Sequence, residues 1–135
     1  MKIRFALAAI ALATTTVISS AVADEALEGK ATADAKLDAK AGKATLVLKG
    51  KGDGVYINKD YGLKCSVKAK DGGKVDKSEL KKEDATYESV ADKPTKAKSA
   101  TFTVGADKAI EGECKLVVCT DTSCSSPFKV SITSN

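Results

Sequence analysis

Four cysteines stand in this chain, Cys65, Cys114, Cys119 and Cys124, and there is no histidine. Cys119 and Cys124 close the short segment CTDTSC near the end of the sequence. Thiols in such an arrangement can staple a fold, hold a metal, or cycle between dithiol and disulfide. A Cys–His nucleophile is excluded, because no histidine exists to activate it. A zinc site would need all four cysteines as ligands. Copper handling draws on Met or His beside Cys, and residues 24–135 contain neither. No metal and no other cofactor is therefore expected. Glu111 and Glu113, two apart on a predicted strand, share one face and read as a solvated face. Gly50, Gly52 and Gly54 lie between two strand signals rather than before a helix, so they do not make a phosphate loop.

The compartment follows from the first residues. MKIRFALAAIALATTTVISSAVADEALEG has a basic start at Lys2 and Arg4, then an apolar run from Phe5 to about Ile18. Ala21-Val22-Ala23 supplies small residues where a signal peptidase reads. A signal peptide over residues 1–23 is expected, and with it a periplasmic or secreted protein that is not embedded in a membrane. No cysteine follows the site, so no lipid anchor is expected. An even number of cysteines in a secreted chain implies disulfides.

Residues 24–135 suffice for one domain with one modest core. Their basic residues are all lysine, and acidic residues are interspersed among them. Arginine is the usual residue for bidentate phosphate and base contacts, so no nucleic-acid partner is expected. The charge admits two readings, a face for polyanions or a solvated surface, and the interspersion favours the second. Aromatic residues are few: Tyr56, Tyr61, Tyr87, Phe102 and Phe128 beyond the leader. Partner contacts should accordingly be small and transient, made by a monomer.

The elements that must position the cysteines are strands. In residues 24–43, Ala31, Ala33, Ala35 and Leu37 alternate with polar residues, which predicts a first strand over about 30–38 after a loose start. ATLVLKG (44–50), VYIN (55–58) and LKCSVKAK (63–70) follow, separated by glycine-rich turns. Residues 74–99 are predicted to hold the main surface loop. Short strands are expected there near Val75 and Ala85–Ser89, with Pro94 in a loop and Leu80 and Tyr87 turned inward. ATFTVGA (100–106), GECKLVVC (112–119) and PFKVSIT (127–133) complete about seven strands. The pattern predicts an all-β fold, an immunoglobulin-like antiparallel β-sandwich over residues 44–135.

Strand parity selects one of the three possible pairings. Cys65 shares the apolar face of its strand with Leu63 and Val67, and Cys114 shares one with Leu116 and Val118. Both should point into the core and bridge the two sheets. Cys119 has the opposite parity, should leave the core, and should meet Cys124 across TDTS. The predicted disulfides are therefore Cys65–Cys114 and Cys119–Cys124. The first closes a long loop and the second a short one, so loop-closure entropy makes the first the larger contributor to stability. Only a bond that the fold survives losing is free to cycle.

The segments GDGVYINKDYGLKCSV, ATFTV and LVVCTDTSCSSPFKVSI together resemble the N-terminal periplasmic domain of the thiol:disulfide interchange protein DsbD, and in particular its stand-alone secreted relatives. The likeness covers roughly residues 44–133. It implies an immunoglobulin-like sandwich in which Cys119 and Cys124 form the redox pair. It also implies partners among membrane redox proteins and periplasmic thioredoxin-fold proteins. On that reading Lys115 or Lys129 favours a thiolate, and Asp121 opposes it or relays a proton. The pair is more closely spaced here than in the family, and Cys65 and Cys114 are additions to its pattern. The competing expectation is a non-enzymatic binding or structural module with two static disulfides.

Overall fold

The computed structural model describes residues 27–134, so the leader expected at 1–23 lies outside the described residues. The described chain is all-β, with two sheets around one core and no α-helix. The first sheet contains β1 (Ala31–Asp38), β2 (Lys43–Gly50), β3 (Tyr56–Asn58), β6 (Thr86–Val90), β7 (Lys93–Gly105), β9 (Val118–Cys119) and β11 (Thr133–Ser134). The second contains β4 (Lys64–Ala69), β5 (Glu79–Lys81), β8 (Ile110–Leu116) and β10 (Phe128–Ser131), in the order β10-β8-β4-β5.

β1 forms where the alternation predicts it, and it buries Ala31, Ala33 and Ala35. Alanines fill little space, so the bulk on this side of the core comes from Leu46 and Leu48 of β2 and Phe102 and Val104 of β7. The second sheet answers with Val67, Ile110 and Leu116. β2 and β3 lie end to end along one edge of β7. Lys49 pairs with Ser99, and Ile57 pairs with Ala97. The other edge of β7 carries β6, with a register shift between Glu88 and Ser89. The extra residue there is Lys98 of β7, between Ala97 and Ser99, and the alternation breaks beside it: Ser99 and Ala100 are buried in succession, with Ala97 and Phe102 buried on either side.

The region expected to be the main loop is more ordered than its composition suggests. β5 sits inside the charged run KSELKK because a three-residue strand needs only one inward side chain, and Leu80 supplies it. A 3₁₀ turn over Lys82–Asp84 then carries the chain from the second sheet to the first. The Asp84 carboxylate accepts from Lys77 Nζ at 2.6 Å and from the Lys81 N–H at 2.9 Å. The Lys77 bond, with the Lys81 N–H next, holds its pKa below the usual carboxylate value. Tyr87 packs partly against the core, and Val75 makes only an isolated bridge to Ala106. Pro94 lies within β7 rather than in a loop. It is exposed near the strand's start, before the ladder with β3 begins, where a missing N–H costs least.

Two predicted strands are each broken by a change of sheet. At Val117 the chain leaves the second sheet after β8 and joins the first as β9. The Val117 carbonyl accepts the Asn58 N–H at 2.9 Å. At Ile132 it crosses again, from β10 to β11. β11 then pairs with β1 in parallel, the one parallel ladder between named strands of the described chain.

The outward face of the second sheet carries an unusual register. Lys129 pairs with Lys115, Lys115 with Lys64, and Lys64 with Lys81, so four lysines form one row across all four strands. Like charges directly opposite are destabilising. Replacing Lys115 with glutamate converts two repulsive pairs into attractive ones. The change is expected to stabilise the fold by on the order of 0.5–1 kcal/mol, read as a higher urea midpoint at low salt that converges on the wild-type value as salt is added.

Candidate functional site

Both predicted disulfides are present, and the described residues contain no free cysteine. Two disulfides place the chain in an oxidising environment. Among the described residues, no three His, Cys, Asp or Glu side chains lie close enough together to hold a metal ion.

Cys65 and Cys114 point into the core, as parity predicts, but they do not bridge the sheets. They face each other on β4 and β8, neighbouring strands of one sheet, with Cα atoms 4.0 Å apart. Parity fixes the face on which a side chain lies; it carries no information about which strand is adjacent. Cys65 is 3% exposed and Cys114 is fully buried.

Cys119 also departs from its predicted place. Parity counted from Cys114 sends it to solvent, yet it is 1% exposed. The sheet change at Val117 resets the alternation, so Leu116, Val117, Val118 and Cys119 are all buried in succession. Its partner Cys124 is exposed. The second disulfide therefore has one sulfur-bearing residue in the core and one at the surface.

The hairpin that holds this bond is built by hydrogen bonds of its own. The Thr120 N–H donates to the Ser123 carbonyl at 2.7 Å, and the Ser125 N–H donates to the Val118 carbonyl at 2.8 Å. The Val118 N–H donates to Ser125 Oγ at 3.2 Å. Thr120 Oγ1 accepts from the N–H groups of Thr122 and Ser123 at 3.4 and 3.3 Å. This is the local side-chain turn that threonine followed by short polar residues favours. None of these bonds involves sulfur, so the turn has a framework besides the disulfide.

The structure places the proposed modulators unevenly. Asp121 lies at the exposed tip of the hairpin, and its carboxylate pairs with Lys93 Nζ at 3.3 Å. Lys115 and Lys129 stand in the lysine row of the other sheet, and Lys129 pairs with Glu113 at 3.4 Å. The cations that engage the hairpin are Lys93 and Lys96, both from β7. Lys96 Nζ donates to the Thr120 carbonyl at 2.7 Å. Tyr56 of β3 stands opposite Cys119 in the ladder. Lys93, Lys96 and Tyr56 escape a reading based on sequence proximity, because β7 and β3 reach the hairpin only through sheet pairing. The run Thr120-Asp121-Thr122-Ser123 is itself a local signal for the turn.

No family model, no curated protein and no solved structure matches this chain.

Proposed function

We propose that this chain is a thiol–disulfide exchange module of the periplasm or extracellular space, working through the Cys119–Cys124 pair. The observation that carries the reading is the asymmetry of that bond: Cys124 is exposed, Cys119 is buried, and the hairpin between them is hydrogen-bonded without the sulfurs. An incoming thiolate can reach Cys124 and not Cys119. The resemblance of residues 44–133 to the DsbD N-terminal domain supports an immunoglobulin-like description of the sandwich, and supports dithiol partners of the thioredoxin-fold or membrane redox type.

A partner thiolate attacks Cys124 Sγ, the bond to Cys119 breaks, and Cys119 leaves as a thiolate that takes up a proton. The partner's second thiol, deprotonated, then attacks its own sulfur in the mixed disulfide and releases Cys124 as a thiolate, which is protonated in turn. Two electrons and two protons pass to the pair, and the partner dithiol becomes a disulfide. The reverse sequence oxidises the pair. The cations bonded to the hairpin, Lys96 on the Thr120 carbonyl and Lys93 on Asp121, hold its backbone and its tip through the exchange.

Differential alkylation across a glutathione redox series, read by mass spectrometry, tests this. Cys119 and Cys124 are expected to open together at a potential well above about −300 mV, while Cys65–Cys114 stays closed. Cys119→Ala is expected to trap a mixed disulfide with a thioredoxin-fold dithiol protein through Cys124, and Cys124→Ala to trap none. A second reading, a binding or structural module with two static disulfides, is favoured by the burial of three of the four cysteines. It predicts that all four stay closed below that potential, an outcome that would end the exchange reading.

A further inference from the structure

We infer that the outer face of the second sheet binds a linear acidic polysaccharide, laid across the strands along the row Lys129–Lys115–Lys64–Lys81. These lysines border a surface depression of about 260 Å³ that also includes Glu79, Glu113 and Ser66. Strands lie about 4.8 Å apart, so the four side chains mark out a track of about 14 Å. Among the described residues, Lys64, Lys81 and Lys115 have no ion-pair partner, and Lys129 is shared with Glu113. Direct lysine pairs on adjacent strands repel, and an anionic chain lying along the row relieves all of these contacts at once.

The flanking row narrows the ligand. One step along the strands, Ser131 pairs with Glu113, Glu113 with Ser66, and Ser66 with Glu79. Hydroxyls and carboxylates thus alternate beside the cations. A glycan bearing carboxylates uses both rows. Its anionic groups meet the ammoniums, and its hydroxyls donate to Glu79 and Glu113 or bond with Ser66 and Ser131. A broad anionic surface, such as a membrane or a nucleic-acid duplex, would press its charge against those glutamates and against Glu111, which pairs with Lys68 at 3.6 Å. The residues on this face are Lys, Glu and Ser, without an aromatic side chain for base stacking. Lysine presents a compact point charge rather than a bidentate fork. This suits discrete carboxylates on a flexible chain.

The test is titration of the purified protein with an unbranched uronic-acid oligosaccharide at low and at physiological salt, by calorimetry. Saturable binding that weakens with salt is expected. Lys64→Gln with Lys115→Gln is expected to weaken it by about tenfold or more, whereas Lys36→Gln with Lys49→Gln, removing equal charge from the first sheet, should change it less than about twofold. Polyglutamate, duplex DNA and phosphatidylglycerol vesicles serve as competing polyanions. The hydroxyl-binding row predicts that each binds more weakly than the uronate, and that Glu79→Gln weakens the uronate alone. Absence of saturable uronate binding at low salt overturns the inference. So does equal loss in the two lysine pairs, or a competing polyanion that binds as tightly as the uronate. The four lysines are exposed at the surface, and an unchanged thermal midpoint in each variant separates lost binding from lost folding.

Discussion

Replacing Cys65 and Cys114 together with alanine is expected to lower stability by about 5 kcal/mol, of which about 4 is loop closure, and the melting midpoint by roughly 20 °C. The bond closes a sequence separation of 49 residues, so its loss returns a large loop to the unfolded ensemble. Both residues are buried in the core, and each lost sulfur leaves a small void, which adds on the order of 1 kcal/mol. Net stabilities of such domains are on the order of 5–15 kcal/mol, so the variant should be marginal. The matching change at Cys119 and Cys124 spans a separation of 5 and should cost about 2 kcal/mol or less, because the hairpin hydrogen bonds remain. Thermal unfolding of both variants by circular dichroism checks the contrast. Equal losses would remove the division into one structural bond and one free to cycle.

Gly112→Ala is expected to be strongly destabilising although it leaves every cysteine in place. Gly112 lies in β8, opposite Val67 of β4, two residues before Cys114. Its φ is +143°, a conformation that L side chains rarely adopt. A Cβ added there would run into the backbone carbonyl oxygen of Ser66, an atom held by the β4–β8 ladder. The Gly112 carbonyl also accepts the Ile132 N–H at 2.8 Å, at the point where the chain crosses from β10 to β11. Strain and forced displacement together should cost on the order of 3–5 kcal/mol. Gly62→Ala is the control, since its Cβ meets nothing and its φ is not positive; it should be neutral or slightly stabilising. Urea unfolding of the two variants side by side decides the matter, and a Gly112→Ala midpoint close to wild type would mean that β4 and β8 can separate freely.

Much of this fold is legible as alternation. β1, β2, β3 and β4 lie within a residue or so of where the period-two pattern puts them, and the inward side chains Leu63, Cys65, Val67, Phe102 and Val104 are all buried. The pairing of the cysteines is legible as well, although part of the reasoning behind it is not. Counting parity from Cys114 fails at Cys119 because the strand changes sheets at Val117, and four successive buried residues carry no period. β5 is hidden because its single inward residue, Leu80, is surrounded by charge. Lys93 and Lys96 at the hairpin, and the lysine row on the opposite sheet, depend on which strands are neighbours. That information resides in registers such as Lys64 against Lys115, which composition and local spacing do not express.

The ladder between β1 and β11 has a consequence for the order of assembly. Asp34 pairs with Thr133, and Ala35 with Ser134, so most of the described chain separates the two sides of that contact. Ser134 Oγ also donates to the Ile110 carbonyl at 2.6 Å. Pairing over such distances makes folding slow relative to locally connected domains. It also means that β1, although synthesised first, keeps an open edge until the final strand arrives. A chain growing from its N-terminal side therefore holds an incomplete first sheet until Thr133 and Ser134 are available to close the edge of β1.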